Sequence, residues 1–385
     1  MVRITFTLHG RLFMYPGRGF FVQIMSEIQI PQRTGMLWQQ RIQDMREYEV
    51  IRDGNVFNTG FSSSFVFSSE YEEAGRILRA LIGHYEGRTF DSVFSGRDVT
   101  NTGGSCFVKE SRHAISSQPV DAGRFRQEMI QDLTLVHGIG SATQRKLKMR
   151  GYSTLTDLLN HPGYRDEAEA VLSCLSDGNT TELMNLIGRR HCRSHGSILG
   201  TAGLHEPEDF VFFDIETLGL FSRPIILFGI GFLDNDSLQV SQYLLRDVEE
   251  EEAALMATVE HLSGDHPALV TFNGKSFDLP YLSDRLAYYG LAAPAAIPHY
   301  DMLHFSRRRW KGELPSLRLT ALEKEILGIT RTEDIPGQMV PEFYATYQRT
   351  GNVGPLVPIL EHKCQDVVSL ARLFFHLTGE IYGCS

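Results

Sequence analysis

The stretch FVFFDIETLG, residues 210–219, places two acids one residue apart at the end of a hydrophobic run. The apolar residues 211–213 predict a strand that is buried on both faces. Residues i and i+2 of a strand point to the same face, so Asp214 and Glu216 project side by side. Like charges repel and each resists burial, so either a cation binds there or the strand ends and the acids reach water.

The pattern from residue 209 onward is that of an α/β domain. Five segments predict strands: FVFFDIE, PIILFGIGFL, LQVSQYLL, ALVTFNG and a short one near HYDML. DVEEEEAALMATVEHL predicts a helix after the third strand, with acids at its N-terminus where the macrodipole favours them. FDLPYLSDRLAYYG predicts a helix after the fourth. Three strands, a helix, and then alternating strand and helix predict a mixed five-stranded sheet flanked by helices.

Two later segments add acids to this pair. In TFNGKSFDLPYL a buried strand breaks at Asn273, and Asp278 falls in the first turns of the next helix. In LEHKCQDVVSLARLF the residues His362 and Asp366 are four apart and share one helix face. Four acids and one histidine suit two Mg²⁺ or Mn²⁺ ions, because hard divalent cations prefer oxygen ligands and paired ions clamp both oxygens in phosphodiester cleavage.

This metal hypothesis assigns a role to each residue. Asp214 bridges the two ions, Glu216 and Asp366 complete the first ion's site, and Asp278 acts mainly through metal-bound water. His362 takes the proton of the attacking water as general base, because its pKa is closest to neutrality. Each motif alone has a plain alternative: an exposed strand end, a turn before a helix, or a solvated pair on a helix. Together and in order they favour a metal site.

The segments DIET, NGKSFDLPYL and HKCQD resemble the three exonuclease motifs of the DEDD (DnaQ-like) group in the ribonuclease H-like superfamily. The match is closest to the YprB-like branch, whose stretch between the second and third motifs resembles residues 299–344. The resemblance covers about 209–376. It implies a ribonuclease H-like fold and a 3′–5′ exonuclease that uses two metal ions to remove nucleotides from DNA or RNA.

The position of the histidine departs from the common subtypes of this group. They place a tyrosine four residues, or a histidine five residues, before the last aspartate, whereas His362 lies four before Asp366. One residue rotates a side chain on a helix by about 100°. Two hypotheses therefore stay open: a metal-dependent nuclease, or a catalytically inactive nucleic-acid-binding or scaffolding protein on a nuclease fold.

Residues 133–160, LTLVHGIGSATQRKLKMRGYSTLTDLLN, resemble a helix-hairpin-helix motif. Glycines in the hairpin let the backbone approach a phosphate, and the next helix N-terminus points its amides at that phosphate. The cations that follow form a positive patch suited to non-specific phosphate contacts. The alternative is an ordinary helical pair that packs internally. The residues assigned to nucleic acid here are Gly138, Gly140, Arg145, Lys146, Lys148 and Arg150.

Further nucleic-acid contacts are predicted within the α/β domain. In the cluster 307–311, an aromatic ring among cations is suited to stack a base, which assigns Arg308 and Trp310. A solvated helix face with one anchoring tryptophan is the alternative. Asn273, at the strand break, is assigned to nucleic acid as well. Two other acids are expected to be structural, at a strand end and a capping position: Asp301 and Asp334.

Length, charge and cysteine content bound the class of protein. A chain of 385 residues predicts two or three domains. The net charge of −10 argues against wholesale coating of nucleic acid but allows local basic contacts. Five scattered cysteines without a CxxC fit a reducing cytoplasm and argue against disulfides or structural zinc. We expect no signal peptide and no membrane span, since the apolar stretches are short.

The predicted organisation has five regions. They are an N-terminal extension of uncertain status (1–25), a mixed α+β region of unknown role (26–130), a small helical helix-hairpin-helix domain (131–190), a linker (191–208) and a ribonuclease H-like exonuclease domain (209–380). The linker is rich in Gly, Ser and His. Its His191, Cys192 and His195 lack a fourth spaced ligand, which favours a linker over a metal site.

Overall fold

The computed structural model describes residues 7–8, 11–12, 68–116, 120–219, 223–235, 237–264, 266–331 and 334–383. The chain divides into two compact units, Met1–Phe65 and Val66–Ser385. In the first unit the described residues form two short antiparallel strands, β1 (Thr7–Leu8) and β2 (Arg11–Leu12). The rest of the predicted extension 1–25, and residues 26–67 of the region of unknown role, lie outside the described residues.

In the second unit, seven strands of the described residues form one mixed sheet. They are β3 (Arg97–Asn101), β4 (Gly104–Ala114), β5 (Phe210–Thr217), β6 (Ile225–Asp234), β7 (Ser237–Leu244), β8 (Ala268–Thr271) and β9 (His299–Asp301). The order is β3-β4-β7-β6-β5-β8-β9; β8 runs parallel to β5 and β9, and the other pairs are antiparallel. The predicted α/β fold with a mixed sheet is confirmed, with all five predicted strands present as β5 to β9. The predicted number of strands is corrected to seven.

The described residues contain fourteen α-helices. These are α1 (Ser68–His84), α2 (Phe90–Val93), α3 (Ala122–Gln131), α4 (Ser141–Met149), α5 (Leu155–Leu158), α6 (Arg165–Ser176), α7 (Thr180–Gly188), α8 (Gly196–Gly200), α9 (Glu251–His261), α10 (Asp278–Tyr289), α11 (Met302–Trp310), α12 (Leu319–Leu322), α13 (Val340–Thr350) and α14 (Leu356–Tyr382). None of these described helices combines the length and the apolar character that crossing a bilayer requires.

Strand β5 is covered on both faces, which explains its nearly continuous hydrophobic run. Phe212 points to the face covered by α14, where its ring centroid lies 5.8 Å from that of Phe374. Phe213 points to the opposite face and belongs to a buried cluster that includes residues of α9 and α10. By the same alternation, Asp214 and Glu216 lie on the α14 face. The strand therefore presents both acids to the C-terminal helix.

The two additional strands come from the region of unknown role. Strands β3 and β4 form a hairpin, and β4 pairs with β7 from Phe107, opposite Leu244, to Ala114, opposite Ser237. Helix α1 contributes Ala74 to a buried cluster shared with the first turns of α14. Residues 68–116 therefore belong to the same compact unit as the main sheet and extend its edge.

The segment predicted as a linker is folded. Residues 196–204 form α8 and a 3₁₀ turn (Thr201–Leu204), with Leu199 fully buried. Thr201 shares a hydrogen bond of 2.8 Å with the hydroxyl of Tyr300. At Gly200 a Cβ would lie 2.6 Å from the ring of Phe125, so the glycine serves close packing here. Residues 196–204 therefore form a folded segment and not a flexible linker, and Gly200 allows this segment to pack closely against Phe125 and Tyr382.

Candidate active site

Three elements bring the five predicted catalytic residues together. Asp214 and Glu216 lie near the end of β5, on the face that α14 covers. His362 and Asp366 lie one turn apart on α14, and Asp278 is the first residue of α10. Residues from strand, helix face and helix N-terminus thus converge at one end of the sheet.

His362 lies between carboxylates on both sides of its ring. Its Nδ1 donates a hydrogen bond of 2.7 Å to Oδ1 of Asp334. Its Nε2 lies 3.2 Å from Oδ2 of Asp366 and 3.9 Å from Oε1 of Glu216. Asp334, expected to be structural, therefore fixes the ring of His362. Both ring nitrogens face carboxylates in this arrangement.

Asp278 is held against the end of β5 by a backbone contact. Its side chain is 2% exposed, and Oδ1 accepts a hydrogen bond of 3.2 Å from the N–H of Ile215. The loop before it is organised by buried Asp301, which accepts from the N–H groups of Asn273, at 2.8 Å, and Lys275, at 3.0 Å. Asp301 therefore stabilises the loop between β8 and α10, which positions Asp278.

Burial and charge move the pKa values of the acids in opposite directions. Burial raises the pKa of Asp214 to about 6, against the lowering effect of Lys363. Burial, with the nearby charge of Asp214, also raises the pKa of Asp278 well above its usual range. Burial alone would raise the pKa of Asp366, but the charges of His362 and Lys363 outweigh it and hold that pKa well below its usual range. Two acids of the site therefore lack sufficient compensating positive charge.

The pKa of His362 is raised despite its burial. Burial alone would lower it, but the charge of Asp366 and the hydrogen bond to Asp334 outweigh that effect and raise the pKa to about 10. A histidine in this state donates from both nitrogens. It becomes available as a ligand or a base only when it gives up a proton.

Lys363, which sequence reasoning missed, lies inside the carboxylate cluster. Its side chain is 1% exposed, and Nζ pairs with Asp214 and lies 3.1 Å from Oε1 of Glu216. Nζ also donates a hydrogen bond of 3.1 Å to the carbonyl oxygen of Ile215. A signal was present, because residue 363 is three positions before Asp366 on a helix and shares its face.

Arg331 is a second cation that sequence reasoning missed. It makes two hydrogen bonds of 2.7 Å to the carboxylate of Glu323, one of 3.1 Å to Asp334, and one to Asp366. The guanidinium therefore links the π-helical turn Glu323–Leu327 to helix α14 and holds Asp366 in place. Nothing in the local sequence indicates this partner.

The donor atoms fit a hard divalent cation. Within the part of the chain that the structure describes, one group of three His, Cys, Asp or Glu side chains has its ligand atoms within 4.8 Å of one another: Glu216, His362 and Asp366. Two carboxylates and one imidazole form a ligand set of the type that Mg²⁺ or Mn²⁺ accepts. The raised pKa values of Asp214 and Asp278 point the same way, because an added cation would relieve their repulsion.

The predicted helix-hairpin-helix residues lie on the surface. Gly138 has φ +83°, a backbone conformation that favours glycine, and Gly140 precedes the first residue of α4. A Cβ at Gly140 would meet no atom of the described residues within 4 Å. Val136 and Ile139 are buried and anchor the hairpin. The cations of the predicted patch are all exposed on or just after α4: Arg145, Lys146, Lys148 and Arg150.

The other predicted nucleic-acid residues lie in different settings. Trp310 is 4% exposed, so its ring has no face free to stack a base, and the alternative of an anchoring tryptophan describes it better. Arg308 is exposed and donates to the Sγ of Cys192 at 2.9 Å. Asn273 has φ +67°, and its buried Oδ1 accepts no hydrogen bond from the described residues.

Comparison with known proteins agrees with this architecture. Residues 211–378 match a family model described as the RNase_H superfamily. A protein of Bacillus subtilis (strain 168) named "Uncharacterized protein YprB" is 34% identical over 182 residues. That alignment covers 46% of this chain and 44% of the relative, so the chain spans less than half of the relative's length.

The chain therefore contains a ribonuclease H-like domain, which includes strands β5 to β9 and most of α14. This is a nuclease-like fold with a candidate divalent-metal site of acidic residues and histidine at the end of its central strand.

Proposed function

We propose that this protein is a divalent-metal-dependent nuclease, acting as a 3′–5′ exonuclease on DNA or RNA in a reducing cytoplasm. The observation that supports it is the convergence of Asp214, Glu216, Asp278 and Asp366 with His362 at one end of β5. The fold itself does not require all four acids, whereas metal-dependent hydrolysis of a phosphodiester does. The presence of the complete set therefore favours a nuclease.

The residues of the site divide into a binding group and a supporting group. Glu216, His362 and Asp366 would hold the cation. A bound Mg²⁺ or Mn²⁺ supplies an activated water and stabilises charge on the scissile phosphate. Once Nε2 of His362 has lost its proton, it would bind the cation together with Glu216 and Asp366, which lie on the same side of the ring. Asp278 orients the end of β5 through the Ile215 N–H.

The family resemblance implies two ions in such a site. In this protein Lys363 already contributes one positive charge to the carboxylates, and this charge affects how many divalent ions the site can hold.

The test is degradation of end-labelled single- and double-stranded DNA and RNA by the full chain with Mg²⁺, Mn²⁺ or EDTA. We expect a ladder of products with either metal and intact substrate with EDTA, and the position of the label identifies the polarity. Absence of cleavage of every substrate with both metals would overturn the proposal.

A second candidate function is supported by one observation. Two buried cations, Lys363 and Arg331, already pair with the acids. Such pairing is what a catalytically inactive nucleic-acid-binding or scaffolding protein on a nuclease fold would use to keep its acids buried. Salt-sensitive binding of nucleic acid without any metal-dependent cleavage would favour this candidate over the first.

The exposed hairpin is proposed as a nucleic-acid anchor. Gly138 and Gly140 leave the backbone open to a phosphate, and the cations of α4 are available for counterion release. Changing Arg145, Lys146 and Lys148 to Gln is expected to weaken binding evenly across sequences and to lower the slope of log affinity against log salt by about 2 to 3. Fluorescence anisotropy at several salt concentrations measures this slope.

A matched control separates the hairpin from general charge. Changing three exposed cations outside residues 133–160 to Gln alters the net charge equally: Arg79, Arg88 and Arg349. This variant is expected to keep most of the slope. Equal slopes for the hairpin variant and the wild-type chain would show that the hairpin does not contact phosphates.

A further inference from the structure

The ammonium group of Lys363 lies among three carboxylates, at a position where a metal ion bridging those carboxylates would bind. Its Nζ pairs with Asp214 and lies 3.1 Å from Oε1 of Glu216 and 3.9 Å from Oδ2 of Asp366. Three of the four predicted carboxylates therefore surround one ammonium group. An ammonium and a divalent ion cannot share that position.

The fold provides a slot for the aliphatic part of this lysine. On β6, Gly229 lies directly opposite Asp214 of β5, so a side chain at 229 would project beside Asp214. A Cβ at Gly229 would lie 2.9 Å from Cγ and 2.8 Å from Cδ of Lys363. Because residue 229 has no side chain, the aliphatic part of Lys363 can pass over it and reach the carboxylates.

The ammonium group also has a partner that is independent of the acids. The carbonyl oxygen of Ile215 accepts a hydrogen bond of 3.1 Å from Nζ, and the whole side chain is 1% exposed. A lysine on a protein surface that reached nearby acids would leave the aliphatic part of its side chain exposed to solvent. Lys363 instead starts from the buried face of α14 and is enclosed along its length.

The charges of the cluster favour one divalent ion beside this lysine. Asp214, Glu216, Asp278 and Asp366 bring up to four negative charges, of which Lys363 compensates one. Arg331 also pairs with Asp366, but Glu323 and Asp334, outside this set, balance its charge. One divalent ion on the ligand group of Glu216, His362 and Asp366 brings the positive charge to three. A second divalent ion would exceed the charge of the carboxylates and repel the buried ammonium at short range.

We propose that Lys363 is a resident cation that takes the place of one metal ion, so that this site binds a single divalent ion through Glu216, His362 and Asp366. The inference rests on the proposed function for its metal requirement. It differs from the two-ion arrangement that the resemblance implies.

The experiment counts ions on the full chain. The protein is stripped with EDTA, freed of chelator and titrated with Mn²⁺ alone, with free ion measured by electron paramagnetic resonance. We expect one bound Mn²⁺ for the wild-type chain. Lys363→Met keeps the volume of the stem and removes the charge, so we expect it to bind two ions and to show the spin coupling of a close Mn²⁺ pair. Lys324→Met, a change at an exposed lysine, is expected to bind one.

The outcomes separate this inference from the proposed function. Two ions in the wild-type chain, or an unchanged count in a folded Lys363→Met variant, overturn the inference and leave a metal-dependent nuclease standing. One ion in the wild-type chain supports it whether or not the protein cleaves nucleic acid, and a failure to cleave then counts against the function alone. Absence of any bound ion overturns both. If Lys363→Met does not fold, as circular dichroism reports, the wild-type count decides.

Discussion

Asp214→Asn is expected to reduce the rate of metal-dependent nucleic-acid cleavage by at least about a thousandfold. The carboxylate of Asp214 pairs with Lys363 inside the acidic cluster, and burial already raises its pKa to about 6. The amide keeps the shape of the side chain and removes the charge that orients both Lys363 and the cation site. Single-turnover rates with saturating Mn²⁺ measure the chemical step directly.

The control for this variant is an acid outside the cluster. Asp284→Asn changes the same residue type at an exposed position of α10, the helix that begins with Asp278. We expect its rate to remain close to that of the wild-type chain. A rate for Asp214→Asn within tenfold of wild type, with an unchanged circular dichroism spectrum, would remove Asp214 from the active site.

Glu251→Ala is expected to lower the free energy of unfolding by about 3–5 kcal/mol, because it leaves a buried guanidinium without its partner. The carboxylate of Glu251 is fully buried and accepts from the N–H of Ile225 at 2.9 Å and from Nε of Arg285 at 2.8 Å. It also pairs with Nη2 of Arg285 and accepts from the hydroxyl of Tyr289 at 3.0 Å. Arginine cannot deprotonate to escape this environment. Urea unfolding followed by circular dichroism measures the change.

An exposed pair of the same type provides the comparison. Arg97 and Glu110 are paired at 3.0 Å with side chains 59% and 41% exposed. Arg97→Ala is therefore expected to change the free energy of unfolding by less than about 1 kcal/mol. The double variant Glu251→Leu with Arg285→Met is expected to recover part of the loss, since it removes both buried charges. A loss for Glu251→Ala below that of Arg97→Ala would contradict the assignment.

Sequence reasoning succeeded where the signal is carried by neighbouring residues. The run before Asp214 indicated a buried strand, and the alternation correctly put Glu216 on the same face. The segment FDLPYLSDRLAYYG indicated the helix that begins at Asp278. These are properties of contiguous residues, because strand and helix periods act over a few positions.

It failed where the partner lies far along the chain. Residues 26–130 were predicted only as a mixed α+β region, and the pairing of β4 with β7 was not predicted, because any exposed strand edge offers the same backbone groups. The segment 191–208 looked like a linker from its composition. Its glycine at 200 instead allows close contact with Phe125 and Tyr382, which come from elements distant in sequence.

By itself, the sequence determined the mixed α/β fold, the order of strands β5 to β9 along the chain, and the placement of Asp214 and Glu216 on one face of β5. The tertiary structure decided which cations these acids have. Lys363 and Asp214 pair although they are 149 residues apart, and Arg331 reaches Asp366 across 35 residues. A local sequence pattern assigns a residue to one face of its own strand or helix. The packing of α14 against β5 and β6 determines which residues that face contacts. The slot over Gly229 that admits Lys363 exists only once those elements are packed together.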